Sequence, residues 1–168
     1  MSHAIYQASI PVFIRMFGNL SAILDKAVAH AEANRIDPAV LLEARLAPDM
    51  YPLPRQVQIA TDSAKGCGAR LAGIEVPSFE DNETTFPQLQ ARIAKTLGFL
   101  QGIDPARFEG SAERPVTLKL PGQELHLEGA VYLNAFVLPN FYFHLTTAYN
   151  LLRHQGVPLG KLDYLGGL

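Results

Sequence analysis

The sequence predicts an all-α fold, a four-helix bundle with one small β-hairpin ahead of the last helix. Three observations carry the prediction. Four long segments place apolar residues at helical spacing, one segment alternates at the period of a strand, and proline, glycine and capping residues punctuate the joins. Bundles bury such apolar stripes and place cofactor sites between facing helices. An all-α globule with other connectivity is the alternative, because the long connections ahead of the second and last helices permit parallel or antiparallel neighbours.

Residues 3–33 carry Ile5, Ala8, Val12, Phe13, Met16, Leu20, Ile23, Leu24, Ala27, Val28 and Ala31. This is the stripe of a long amphipathic helix, with a bend expected at Pro11, whose ring removes an internal hydrogen bond. Asp37-Pro38 reads as an N-cap followed by proline, opening a short turn of helix through Leu46. Pro48, Pro52 and Pro54 mark a connector, and the second main helix is expected from about Pro54 to Leu71, stopped by Gly73. Its run Gly66-Cys67-Gly68-Ala69 weakens the helix locally but admits a close neighbour, which predicts a tight helix crossing. Residues 74–85 form an acidic loop with Glu75, Glu80, Asp81 and Glu83. Thr85 then caps a third helix, whose stripe Phe86, Leu89, Ile93, Leu97 and Leu100 ends near Gly102. Asp104-Pro105 repeats the cap-and-proline signal. Val116, Leu118 and Leu120, then Leu125 and Leu127, alternate with polar residues around Pro121-Gly122, a hairpin packed by one face. The last helix is expected from about Gly129 to Gln155, bent or broken at Pro139 and ended by Gly156 and Pro158. No internal repeat or second domain is visible, so residues 1–168 are expected to form one domain.

A chain of 168 residues can bury a core without disulfides or structural metal. Its net charge of −2, with positive residues scattered, gives no basic field for nucleic acid. The N-terminus lacks a basic leader and is interrupted by Arg15, so neither a signal peptide nor a membrane span is expected. Cys67 is the sole cysteine, which precludes an internal disulfide and suits a reducing compartment; the cytoplasm is the expected location.

Chemistry is expected on the last helix, where Asn140, His144 and Thr147 fall at i, i+4 and i+7 and so share one stripe of an aromatic-rich segment. Residues 54–73 contain no histidine, and Gln58, Asp62 and Lys65 offer polar atoms on a shared stripe. Plainer roles compete for each residue. His144 can be an internally hydrogen-bonded histidine, Asp62 can pair with Lys65 or with His144, and Asn140 can satisfy groups freed by Pro139. Cys67 reads as an inert core residue, His154 as a helix-dipole contact, and His3, His30 and His126 as peripheral. Neither Ser63 nor Cys67 has a nucleophile-elbow context.

The segment from Leu138 to Gly156, continuing as Val157-Pro158-Leu159-Gly160-Lys161-Leu162-Asp163-Tyr164-Leu165-Gly166, resembles the C-terminal signature of a bacterial and fungal domain-of-unknown-function family. That family lies within the DinB/YfiT-like superfamily of inferred metalloenzymes. The segments Gln56–Lys65 and Pro77–Phe86 resemble its middle portion. The resemblance implies an up-down-down-up bundle, commonly dimeric, with a divalent metal held by three histidines. It also implies thiol-dependent transferase or hydrolase activity in some members. Setting the superfamily's helix-ending glycine on Gly156 places the second histidine of the last-helix pair on His144 and the first on Asn140, with Asp62 standing in for the helix-2 ligand. One divalent transition metal, Zn or Ni, at His144, Asp62 and Asn140 is thus the implied but degenerate site. A carboxylate suits such an ion, and the amide oxygen is a weak substitute. Gln58, Tyr142, Thr147 and Tyr149 are the expected pocket. Three functions follow: a metal-assisted enzyme, a metal-free binder of a small molecule, or a structural homodimer joined through the tail 157–168.

Overall fold

A computed structural model of the chain describes residues 2–167, with side chains from Ala4 onward, so the expectation for His3 lies outside the described residues. The helices are α1 (Ser2–Gln7), α2 (Ile10–Asn34), α3 (Pro38–Leu42), α4 (Leu53–Ala72) and α5 (Phe86–Gln101). A 3-10 turn (Pro105–Phe108) leads to strands β1 (Pro115–Leu120) and β2 (Gln123–Glu128), paired antiparallel with Leu118 opposite Leu125. The chain ends with α6 (Gly129–Val131), a π-helical segment (Tyr132–Val137), α7 (Leu138–His154) and α8 (Lys161–Leu165).

Side-chain pairs fix the directions of the four long helices. Ser63 of α4 meets Asn140 of α7 while Gln56 meets His144, so these two run antiparallel. Thr61 of α4 meets Arg92 of α5 and Gly68 lies against Leu100, so those two run parallel. Phe13 of α2 touches Phe141, and Leu20 and Ile23 lie beside Leu145, which aligns α2 with α7. The order is therefore up, down, down, up, and the parallel middle pair is what makes the 73–85 connection so long. Among the described residues no helix is long and apolar enough to cross a membrane.

The seam is dry and aromatic. Phe141, fully buried, packs on Phe13 with ring centroids 4.7 Å apart and on Phe17 at 5.4 Å. Each such ring contributes about 1.5–3 kcal/mol by burial, and the pairings add roughly 0.5–1.5 kcal/mol. The small-residue run in α4 does form a close crossing: a Cβ on Gly68 would stand 2.8 Å from Ile103 and 3.2 Å from Ile10. Gly73 adopts the left-handed C-cap conformation at φ 65°, which glycine adopts without steric cost.

Three boundaries differ from expectation. The first helix does not bend at Pro11 but breaks at Ala8-Ser9, so that Pro11 falls in the first turn of α2, where its missing N–H costs nothing. Ser9 Oγ donates to the Ile5 carbonyl at 2.7 Å across the break. The turn opened by Asp37, whose carboxylate accepts the Ala39 N–H at 2.9 Å, ends at Leu42 rather than Leu46. The last helix is continuous through Pro139, because the preceding six residues widen to π winding, with Leu138 N–H bonded to the Leu133 carbonyl five residues back. That winding removes the clash and the lost bond a proline imposes on an α-helix interior.

Candidate functional site

Arg55, Ile59, Asp62, Ser63 and Arg70 recur at helical spacing along one face of α4 and form one wall of a groove of about 500 Å³. The π-helical segment gives the opposite wall with Tyr132, Phe136 and Val137, and β1 closes it with Leu118, Lys119 and Leu120. Gly66 makes part of this arrangement possible. A Cβ there would collide with the Arg70 guanidinium, which folds back along the helix to donate to Tyr132 Oη at 3.2 Å. Burial pushes the Tyr132 phenol up to about 12, so it stays neutral at ordinary pH. Its ring stacks on Phe136 with centroids 6.1 Å apart.

Behind α4 lies a second polar cluster centred on Arg92, whose side chain is 1% exposed. The Arg92 guanidinium makes four hydrogen bonds and a further ion pair. Nε donates to Thr61 Oγ1 at 2.7 Å, Nη1 to the Glu80 carbonyl at 2.9 Å and Glu83 Oε1 at 3.0 Å, and Nη2 to Asp62 Oδ1 at 2.9 Å, while Asp81 Oδ1 lies 3.0 Å from Nη2 as an ion pair. Lys65 also reaches Asp62 Oδ1, at 2.9 Å, and Arg55 reaches Asp81. Three cations thus meet three carboxylates, and the acidic loop is tied to α4 and α5. Phe79 of that loop has the Lys65 and Lys95 ammonium groups each 4.1 Å from its ring centre, a cation–π arrangement.

The sequence-expected ligands are engaged by separate partners. Asp62 pairs with Lys65 and Arg92, and Asn140 Nδ2 donates to Ser63 Oγ at 2.6 Å. His144 Nδ1 lies 2.7 Å from Gln56 Oε1. Because Gln56 Nε2 donates to the Tyr51 carbonyl at 2.9 Å, the amide presents its oxygen to the imidazole, so Nδ1 carries the proton. Neutral His144 then keeps its lone pair at Nε2. Among the described residues no group of three or more His, Cys, Asp or Glu side chains could hold a metal ion. One imidazole, an amide and a carboxylate shared by two cations are a poor donor set for a divalent transition metal, which prefers imidazole, thiolate or unshared carboxylate.

The expected pocket is not assembled either. Gln58 belongs to the loop cluster, donating to Glu83 Oε2 at 2.9 Å, and Thr147 donates back to the Phe143 carbonyl. Tyr142 is exposed, and Tyr149 packs edge-on against Tyr164 of α8. Among the described residues the four are thus engaged in different places, with Gln58 toward the acidic loop, Tyr142 toward solvent and Tyr149 toward α8. Cys67 is fully buried and its thiol is pushed far up by burial, with no route to nucleophilic chemistry. Sequence reasoning missed Arg92, Arg70, Lys119 and Tyr132. Arg92 had a readable signal: it lies three residues after Leu89 and four before Thr96, inside the apolar stripe of α5, where an unpaired charge would be costly.

His144 also sets a pH dependence. Burial, and next the nearby Arg55 charge, hold its pKa below the ordinary 6.5. The unfolded chain therefore takes up the proton first, and stability falls as pH drops below about 6.5, levelling off below the folded pKa. Urea unfolding between pH 7.5 and 4.5 is expected to show a shallower acid loss for His144→Gln than for wild type; identical profiles would exclude His144 as the source.

The parallel middle pair, the crossover loop and the hairpin before the last helix define a DinB-like bundle. A crystal structure of a DinB family member from Shewanella denitrificans is similar to this chain, with a TM-score of 0.92 and 43% sequence identity over 99% of this chain and 94% of that one. The chain belongs to the family described as Domain of unknown function (DUF1993), which matches residues 5–165. No curated protein matches it.

Proposed function

We propose that this DinB-like chain, as one cytoplasmic domain over residues 1–168, binds a small anionic molecule in the groove between α4, β1 and the π-helical segment, without a metal. The observation that supports this reading is a charge surplus. Arg55 and Asp62 line the groove but are paired with other groups, whereas neither Arg70 nor Lys119 forms an ion pair among the described residues. Apolar walls from Ile59, Leu118, Leu120, Phe136 and Val137 suit an aromatic or aliphatic body beside the anion.

Calorimetric titration with phenylacetate and with its neutral amide, phenylacetamide, tests the proposal. The acid is expected to bind about tenfold tighter than the amide, and Lys119→Ala to remove most of that difference. Equal affinities would sink the anion reading.

The metal-dependent transferase or hydrolase is the second reading, favoured by one observation. His144 donates Nδ1–H to an amide oxygen and leaves Nε2 free, the orientation that metal-bound histidines share. Thermal melts in Zn²⁺ and Ni²⁺ separate the readings. Metal-free binding predicts the same response for wild type and His144→Ala, whereas stabilisation of wild type alone would favour the metal. The homodimer belongs to the proposal as well, supported by exposed Tyr142 and Phe143 on α7 and Leu162 on the adjoining α8; sedimentation measures it.

A further inference from the structure

We infer that the ligand of this groove carries a hydrogen-bond donor next to its anionic group, an amine or hydroxyl that bonds to Asp62 Oδ2. The inference rests on the anion-binding reading and supplies the other half of the ligand's chemistry. Asp62 Oδ1 takes both Lys65 Nζ and Arg92 Nη2 at 2.9 Å, from cations only 6% and 1% exposed. That oxygen is fixed from behind. Oδ2 has no partner among the described residues, yet the side chain is 39% exposed and lines the groove.

An ionised carboxylate accepts at both oxygens, and one whose orientation is already set loses little freedom when it accepts another donor. Ser63, the neighbouring hydroxyl, is committed, donating to the Ile59 carbonyl and accepting from Asn140. Tyr132 is likewise engaged by Arg70. Asp62 Oδ2 is therefore the acceptor the groove holds ready, beside the cations Arg70 and Lys119 and the apolar wall of Phe136 and Val137. A 2-amino or 2-hydroxy acid with an apolar side chain combines these three features.

A matched series decides it: phenylacetate has the anion and ring, mandelate adds a hydroxyl, and phenylglycine adds an ammonium. Titrated into the wild-type protein at pH 7 and constant ionic strength, mandelate or phenylglycine is expected to bind about tenfold tighter than phenylacetate, and the tighter of the two identifies the donor. In Asp62→Asn the advantage of phenylglycine over phenylacetate is expected to vanish, with phenylacetate itself binding at least as tightly as in wild type because a repelling carboxylate charge has gone. Equal affinities across the series in wild type, or a preference that survives Asp62→Asn, overturn the inference and leave the anion reading standing. If phenylacetate binds no tighter than phenylacetamide, the anion reading itself falls, and this one with it. The wild-type ranking settles the matter even if Asp62→Asn does not fold.

Discussion

Replacing Arg92 by methionine is expected to cost about 3 kcal/mol of stability and to detach the acidic loop from the bundle. Removing one partner of a buried ion pair typically costs about 3–5 kcal/mol, because the charges left behind have lost their compensation. Here the lower end applies. Asp62 and Asp81, at 39% and 37% exposure, can rehydrate, whereas Glu83, at 10%, and the buried Thr61 hydroxyl cannot do so readily. In a protein of this size the loss corresponds to a melting temperature lower by roughly 6–12 °C, accompanied by faster amide exchange over residues 74–85. Arg92→Lys is expected to recover only part of it, since an ammonium offers three donors where four acceptors and the Asp81 carboxylate wait. A loss below about 1 kcal/mol, the range of surface pairs, would show that the network adds little.

Gly129→Ala is expected to be at least as damaging. A Cβ at this position would fall inside the carbonyl oxygen of Ser111 and stand 2.8 Å from Leu71 Cδ2. The leucine can turn aside, but the carbonyl belongs to backbone held by the neighbouring bond from Ala130 N–H to the Ala112 carbonyl at 2.9 Å. Overpacking costs of about 1–3 kcal/mol arise where side chains can yield; a fixed backbone atom places this substitution at or above the upper figure. Gly98→Ala is the control, because nothing lies within 4 Å of the added methyl, and helix propensity makes it neutral or stabilising by up to about 1 kcal/mol. Chemical denaturation of both variants measures the contrast, and equal stabilities would refute the packing argument.

The architecture was legible because it is written in local signals. Thr85 and Gln88 form the capping box that opens α5, Gly73 closes α4 in the left-handed conformation, and the alternation around Pro121-Gly122 is the hairpin. Pro11 and Pro139 marked the neighbourhoods of irregularity, yet their outcomes differ, a helix break three residues upstream in one case and a widened helix in the other. Which occurs depends on tertiary partners that no local window contains. The groove was half legible. Asp62 came out of the polar pattern of α4, but Arg70, Lys119 and Tyr132 converge from a helix, a strand and a π turn separated by up to 62 positions in the chain. His144 drew the reading toward a metal because histidine is conspicuous in an apolar helix; its amide partner Gln56 lies 88 residues away and has no pattern of its own.

The widened turn ahead of α7 has a consequence for where the groove lies. Its six residues divide between two surfaces: Leu133 and Val137 are buried in the core, while Tyr132 and Phe136 stand with Val137 along the groove. The segment that carries the helix through Pro139 is thus also the one that furnishes a wall of the groove, facing Asp62 and Ser63. Deleting one of the six would turn the side chains on one side of the cut by about 100° about the helix axis relative to those on the other, so the proline and the groove are tied to the same count of residues.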